Sequence, residues 1–162
     1  MHRKFLVICA CALAFAVAGR ATASAEALSV YTSFTAEELA NVMKQFGYRA
    51  ELATTADGAP EIKSAASGLN YLVLFYDCKT EGTRGCTSIQ FIANLVMNDK
   101  VPFETINDFN KTTRYGQAML LADNKPGLHM SLMVDGMTEQ NLRRYFGVWE
   151  SILGDFKKQV KF

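Results

Sequence analysis

The chain has 162 residues, with 17 basic and 16 acidic side chains and a formal net charge of +1. That near-balance gives no electrostatic case for nucleic acid, which would call for a clustered basic face, or for an anionic membrane surface. The length suits one domain with room for a proper core.

The N-terminus reads MHRKFLVICACALAFAVAGRATASAEA. Arg3 and Lys4 precede a continuous apolar run from Phe5 to Ala18. A run of about fourteen residues suits a signal-peptide core and falls short of the roughly 20 that span a membrane. The small residues that follow favour cleavage after Ala25, so that the product starts at Glu26; cleavage after Ala23 is the alternative. An uncleaved anchor is the competing reading. A lipoprotein fits poorly, because Cys9 follows Ile8 where a small residue belongs and Cys11 lies deep in the apolar run. The expectation is therefore a signal peptide over 1–25, one domain over 28–160, and a periplasmic or secreted product with no stable membrane insertion. Cleavage takes Arg3, Lys4 and Arg20 from the 17 basic residues and none from the 16 acidic ones, moving the net charge from +1 to −2. It also removes Cys9 and Cys11, leaving Cys78 and Cys86.

Thr35 caps a predicted helix, and Glu38 completes a capping box. Phe34 and Leu39 occupy hydrophobic-staple positions, Leu39, Val42, Met43 and Phe46 form one apolar stripe, and Gly47 ends the helix. Tyr48–Thr54 reads as a strand, Asp57-Gly58 as a turn and Glu61–Ser67 as a weaker strand. Leu69–Cys78 is the strongest strand, apolar on both faces and so central. Thr87–Met97 alternates, with Ile89, Phe91, Ala93, Leu95 and Met97 on one side. Pro102 suits the first turn of a middle helix whose thin stripe is Phe103, Ile106 and Phe109. Tyr115–Ala122 and Leu128–Asp135 form a hairpin around residues 123–127. The last helix is capped by Thr138, with Met137 stapled to Leu142. Its stripe is Leu142, Tyr145, Phe146, Trp149, Ile152, Leu153, Phe156 and Val160. The predicted class is α+β, an antiparallel sheet with N-terminal, middle and C-terminal helices.

Cys78 and Cys86 flank a short charged loop in YDCKTEGTRGCTSIQF. Pairing them across a hairpin makes opposed residue numbers sum to 164, which sets Phe75 beside Ile89, Val73 beside Phe91 and Leu69 beside Leu95. One register thus aligns the cysteines and both apolar rows, and register is strongly constrained where one face is buried. A structural disulfide is the favoured reading; free thiols, or a redox or metal role, are the alternatives. Redox chemistry usually wants C-x-x-C spacing, and a metal site needs more ligands than these cysteines and His129 supply. His129 should face out beside Ser131. The stretch Asn107-Asp108-Phe109-Asn110 has no EF-hand spacing and reads as capping or loop bonding. Arg143 and Arg144 belong to the solvated face of the last helix. With no P-loop, H-E-x-x-H or G-x-S-x-G in the chain, no enzyme activity, catalytic residue, cofactor or metal is expected.

Four stretches together, FTAEELANVMKQFGYRAEL, GLNYLVLFYDC…CTSIQF, INDFNKTTRYGQAML and MTEQNLRRYFGVWESILGDF, resemble the YbjN-domain family over about Leu28 to Phe156. The most specific pieces are Ser88-Ile89-Gln90-Phe91, the Asn107…Asn110 pair and Arg114-Tyr115-Gly116. The resemblance implies a bacterial sensory-transduction regulator with a fold similar to type III secretion chaperones, small domains that often dimerise and bind partner polypeptides. Those chaperones act in the cytosol, whereas this chain carries an export signature.

Two functions are expected from these readings. The first is a non-catalytic exported interaction module, regulatory or chaperone-like, that binds an unknown polypeptide partner or dimerises weakly. Its candidate surface is Leu72, Leu74, Tyr76, Ile92 and Val96, which point away from the Phe75/Ile89/Phe91 row and need cover from the middle helix, a second protomer or a partner. The alternative is a small-ligand sensor or minor enzyme using polar groups at Gln90, Asn107, Asn110 and Arg114, which requires them to share one concave site.

Overall fold

The computed structural model describes residues 29–79 and 85–162. The expected signal peptide with its cleavage site at Ala25 and Glu26, the expected domain start at Leu28 and residues 80–84 between the two cysteines lie outside the described residues. In chain order the elements are β1 (Val30–Tyr31), α1 (Ala36–Gln45), β2 (Glu51–Thr54), β3 (Pro60–Ala66), β4 (Leu69–Cys78), β5 (Cys86–Asn94), α2 (Phe103–Thr112), β6 (Gln117–Leu120), β7 (Pro126–Met133), β8 (Met137–Thr138) and α3 (Glu139–Val160). The architecture is α+β: an antiparallel six-stranded sheet in the order β2-β3-β4-β5-β7-β6, with β1 and β8 forming a separate two-stranded pair.

Local chemistry sets the helix ends as expected. Thr35 Oγ1 accepts from the Glu38 amide at 3.2 Å, and Glu38 Oε2 accepts from the Thr35 amide at 2.8 Å. At the other end of α1, Gly47 has φ +92°. Its amide donates to Lys44 O and that of Tyr48 to Met43 O, both at 3.0 Å. This is a Schellman closure, and it needs a residue tolerant of positive φ. Thr138 Oγ1 accepts from the Asn141 amide and caps α3. Pro102 differs from expectation: it is the extended N-cap of α2 rather than a first-turn residue.

The central hairpin keeps the expected register. Leu72 pairs with Ile92, Val73 with Phe91, Phe75 with Ile89 and Cys78 with Cys86, and a disulfide joins the two cysteines. Closing so short a loop contributes about 2–3 kcal/mol in the chain-entropy view. Cys86 also exchanges both backbone hydrogen bonds with Phe34, at 3.0 and 2.7 Å, which ties the entrance of α1 to the start of β5. A Cβ on Gly85 would lie 2.1 Å from the Phe34 carbonyl carbon, so only glycine allows this approach.

Two expectations are corrected. β5 ends at Asn94 rather than reaching Met97. In the later hairpin the first strand is shorter, Gln117–Leu120, and the second, Pro126–Met133, begins and ends two residues earlier than expected and is the one that pairs with β5. β7 lies between β5 and the edge strand β6, so α2 carries the chain past β7's place to the sheet edge.

All three helices cover one face. The inner row Ile62, Val73, Phe91 and Met130 crosses four strands. Trp149 of α3 lies against Phe91 and Tyr71, at ring-centroid distances of 5.4 and 5.6 Å. Phe146 meets Phe91 at 5.1 Å and Phe46 of α1 at 5.9 Å. Phe109 of α2 meets Phe156 at 5.2 Å, so α2 packs beside α3 and β6. The stripe on α3 is real: Leu142, Phe146, Trp149, Leu153, Phe156 and Val160 are buried, and Tyr145 and Ile152 flank them half-buried. Trp149→Ala should therefore lower stability by about 3–5 kcal/mol. Denaturant titration checks this, and an unchanged midpoint would contradict the packing described.

The open face of the sheet as a candidate interaction surface

The pleat that sends Phe91 and Val73 inward sends their neighbours outward. One outer row runs Lys63, Leu72, Ile92, His129, with Glu51 and Gln117 at its ends. The next runs Glu61, Leu74, Gln90, Ser131, and a third Tyr76, Ser88, Met133. Among the described residues no helix packs on these rows. Leu72, Leu74 and Ile92 are half-buried by their neighbours, while Tyr76, Val96 and Met133 are 45 %, 77 % and 62 % exposed. The middle helix, one of the three expected covers, lies on the opposite face.

A chain of side-chain hydrogen bonds crosses the outer rows. Tyr76 Oη donates to Gln90 Oε1 at 3.3 Å, and Gln90 Nε2 donates to Ser131 Oγ at 3.0 Å. It orders the polar side of the face and leaves Leu72 and Ile92 as the apolar floor of a depression of about 290 Å³. Arg49, Lys63, Asn70 and Asn94 stand around that floor. A second depression, which Asn70 and Asn94 also line, holds Val96 and Phe162.

Sequence reasoning found the aliphatic residues and missed Arg49, Lys63, Asn70, Asn94 and Met133. The signal for Met133 was its parity with His129 and Ser131 on β7. The signal for Lys63 lay in the β3–β4 register, which needs the Ser67-Gly68 turn to be placed first; both turn residues have positive φ.

The four residues expected to form a polar site lie apart in the fold. Gln90 belongs to the outer face. Asn110 is on α2, where Nδ2 donates to Ala118 O at 2.9 Å and Oδ1 accepts from the Ala118 amide at 2.8 Å, so it clamps α2 to β6. Asn107 is exposed on the same helix, and Arg114 lies over the Tyr115 ring at 5.6 Å. No hydrogen bond or ion pair among the described residues joins Gln90 to the other three. Among the described residues, too, no cluster of three His, Cys, Asp or Glu side chains could hold a metal.

His129 faces out beside Ser131 as expected, but its Nε2 is buried without a hydrogen-bond partner among the described residues. Burial lowers its pKa below the ordinary value of 6.5, because the imidazolium would lose hydration there. Two rings of the core also carry buried polar atoms without a hydrogen-bond partner among the described residues, Tyr71 Oη and Trp149 Nε1. Burial pushes the Tyr71 phenol up to about 12. Both are structural, since their rings form the contact between α3 and the sheet.

A family model for YbjN, described as a putative bacterial sensory transduction regulator, matches residues 35–162. Among curated proteins none matches the chain.

The His129 environment has a consequence for stability. The unfolded chain takes up a proton near pH 6.5, whereas the folded state resists it until lower pH. The contribution is therefore complete above about pH 6.5 and lost as pH falls below that value. The melting temperature should fall between pH 7.5 and pH 5, and fall less in His129→Gln. Carboxylate contributions are common to both proteins, so equal slopes would show that His129 carries none of the dependence.

Proposed function

The chain belongs to the YbjN family, and on that premise we propose that it is a non-catalytic regulatory module whose open sheet face binds a polypeptide. One observation carries this reading. The two central strands present Leu72, Leu74 and Ile92 on the face that no helix covers among the described residues. Each aliphatic side chain left partly in water forgoes a share of the roughly 1.5–3 kcal/mol that full burial offers. A partner that covers them recovers that share, less the entropy of association. The mixed polarity of the rows favours reversible over obligate contact, because Gln90, Ser131 and His129 remain hydratable in the free state.

The test uses Leu74. Because Leu74 is only half-buried and no helix covers it among the described residues, Leu74→Glu should leave the circular dichroism unchanged and lower the melting temperature only modestly, the new carboxylate facing Glu61 across the strands. It should abolish polypeptide binding, self-association included, as read by sedimentation velocity. A photo-crosslinker at position 74 should capture polypeptide far more than one at Glu37, an exposed position on α1. An unfolded Leu74→Glu protein, or equal capture from both positions, would refute the interaction face.

Export is part of the same proposal. It rests on the basic start, the apolar run and the small residues before Glu26, and it is compatible with a disulfide, which forms and persists in oxidising compartments. Protein recovered from the cell envelope should have the intact mass of a chain beginning at Glu26 or Ser24. Alkylation without reductant should label neither Cys78 nor Cys86. Retention of the leader in that mass, or ready labelling, would count against export.

A further inference from the structure

The depression on the open face is asymmetric in a way that specifies its occupant. Its floor, Leu72 and Ile92, is aliphatic. Two cations, Arg49 and Lys63, rise on its β2–β3 side. Neither takes part in an ion pair among the described residues. Glu51 pairs with Lys63 across the strands, and Glu61 lies two positions along β3, yet neither carboxylate comes within ion-pair distance of Lys63. Beside the floor, two positions along β4 and β5 from Leu72 and Ile92, Asn70 and Asn94 offer side-chain amides with no hydrogen bond among the described residues. An apolar floor with cations along one edge and amides further along its own strands is complementary to an extended peptide: an aliphatic side chain enters, a carboxylate beside it meets the cations, and the amides pair with backbone N–H and C=O groups.

We propose that this depression is a docking site for an acidic peptide segment in which aliphatic and acidic residues alternate. The proposal rests on the interaction-face reading and assigns its partner's chemistry. Size argues for a peptide over an enclosed metabolite. At about 290 Å³ the depression falls just under the range of pockets that engulf small ligands. Asn70 and Asn94 also line the second depression with Val96 and Phe162, so an extended chain has a continuous track beyond the first site. Arginine suits this role because its planar fork grips a carboxylate through two parallel hydrogen bonds, while lysine adds a compact point charge.

The probe is the peptide acetyl-Leu-Glu-Leu-Glu-Val-amide, with its counterpart carrying lysine in place of glutamate. Titrated into isotope-labelled protein, the acidic peptide should shift the amide resonances of Lys63, Leu72 and Ile92. It should bind at least about tenfold more tightly than the lysine peptide, the factor expected for one charge-assisted hydrogen bond. The combined change Arg49→Glu and Lys63→Glu should weaken the acidic peptide about tenfold or more and raise affinity for the lysine peptide. Both positions are exposed, and circular dichroism should remain unchanged. Equal affinity for the two peptides, or shifts confined to another surface, would overturn the proposal. So would competition by hexanoate at equal concentration, which marks a small-carboxylate site, or self-association lost in Lys63→Glu, which marks a second copy as the occupant. If the acidic peptide fails while position 74 still crosslinks to polypeptide, the carboxylate assignment falls and the interaction face stands. If both fail, neither stands.

Discussion

The indole of Trp149 lies against Phe91 and Tyr71, and this contact decides which side of the sheet is the interior. It seats α3 across the central strands, and everything else on that side is arranged around α3. Phe146, one turn earlier, touches both Phe91 and Phe46 and so binds α1 to the same layer. Phe156, further along, receives Phe109 and binds α2. Aromatic pairs of this kind contribute about 0.5–1.5 kcal/mol each beyond the area they bury, and here they share rings. The three helices therefore form one layer on one face, which leaves the other face of the sheet open among the described residues.

The central hairpin supports that arrangement at its far end. The disulfide holds β4 and β5 in register where the pairing would otherwise fray. Next to it, the Phe34–Cys86 bridge brings the entrance of α1 to the same point, in contact with Gly85. The inner row and the outer row are consequences of a single register, because a slip of one residue would exchange them. The aliphatic residues of the open face are thus tied to the burial of Phe91: wherever Phe91 is core, Leu72 and Ile92 point outward.

The open face mixes apolar and polar side chains. Its leucines and isoleucine are half-buried, and the Tyr76–Gln90–Ser131 hydrogen bonds keep the polar side ordered. The proposed peptide site takes the apolar floor from β4 and β5 and the charges from β3 and the segment leading into β2. No single strand carries both, and neither set alone would distinguish an acidic partner from a neutral one.

The sequence determined the local elements and the central pairing. Thr35 with Glu38 and Thr138 marked two helix starts, Gly47 marked a helix end, and the period of the stripe from Leu142 to Val160 marked a helix with one buried face. The register of Leu69–Cys78 against Thr87–Met97 was legible because the cysteines and both apolar rows demanded the same alignment. Half of the candidate surface, Leu72, Leu74 and Ile92, followed from that register. Only the tertiary structure decided which face the helices cover. A stripe as thin as Phe103, Ile106 and Phe109 says that α2 has a buried side, but it can be satisfied by either face of the sheet or by another helix; the contact with Phe156 chose. The place of β7 between β5 and β6 was likewise undetermined, since the four residues of β6 encode too little to select a neighbour. The polar half of the surface, Arg49 and Lys63 beside Leu72, arises from the pairing of β3 with both β4 and β2, which brings distant side chains together, and no local pattern of residues specifies such a meeting.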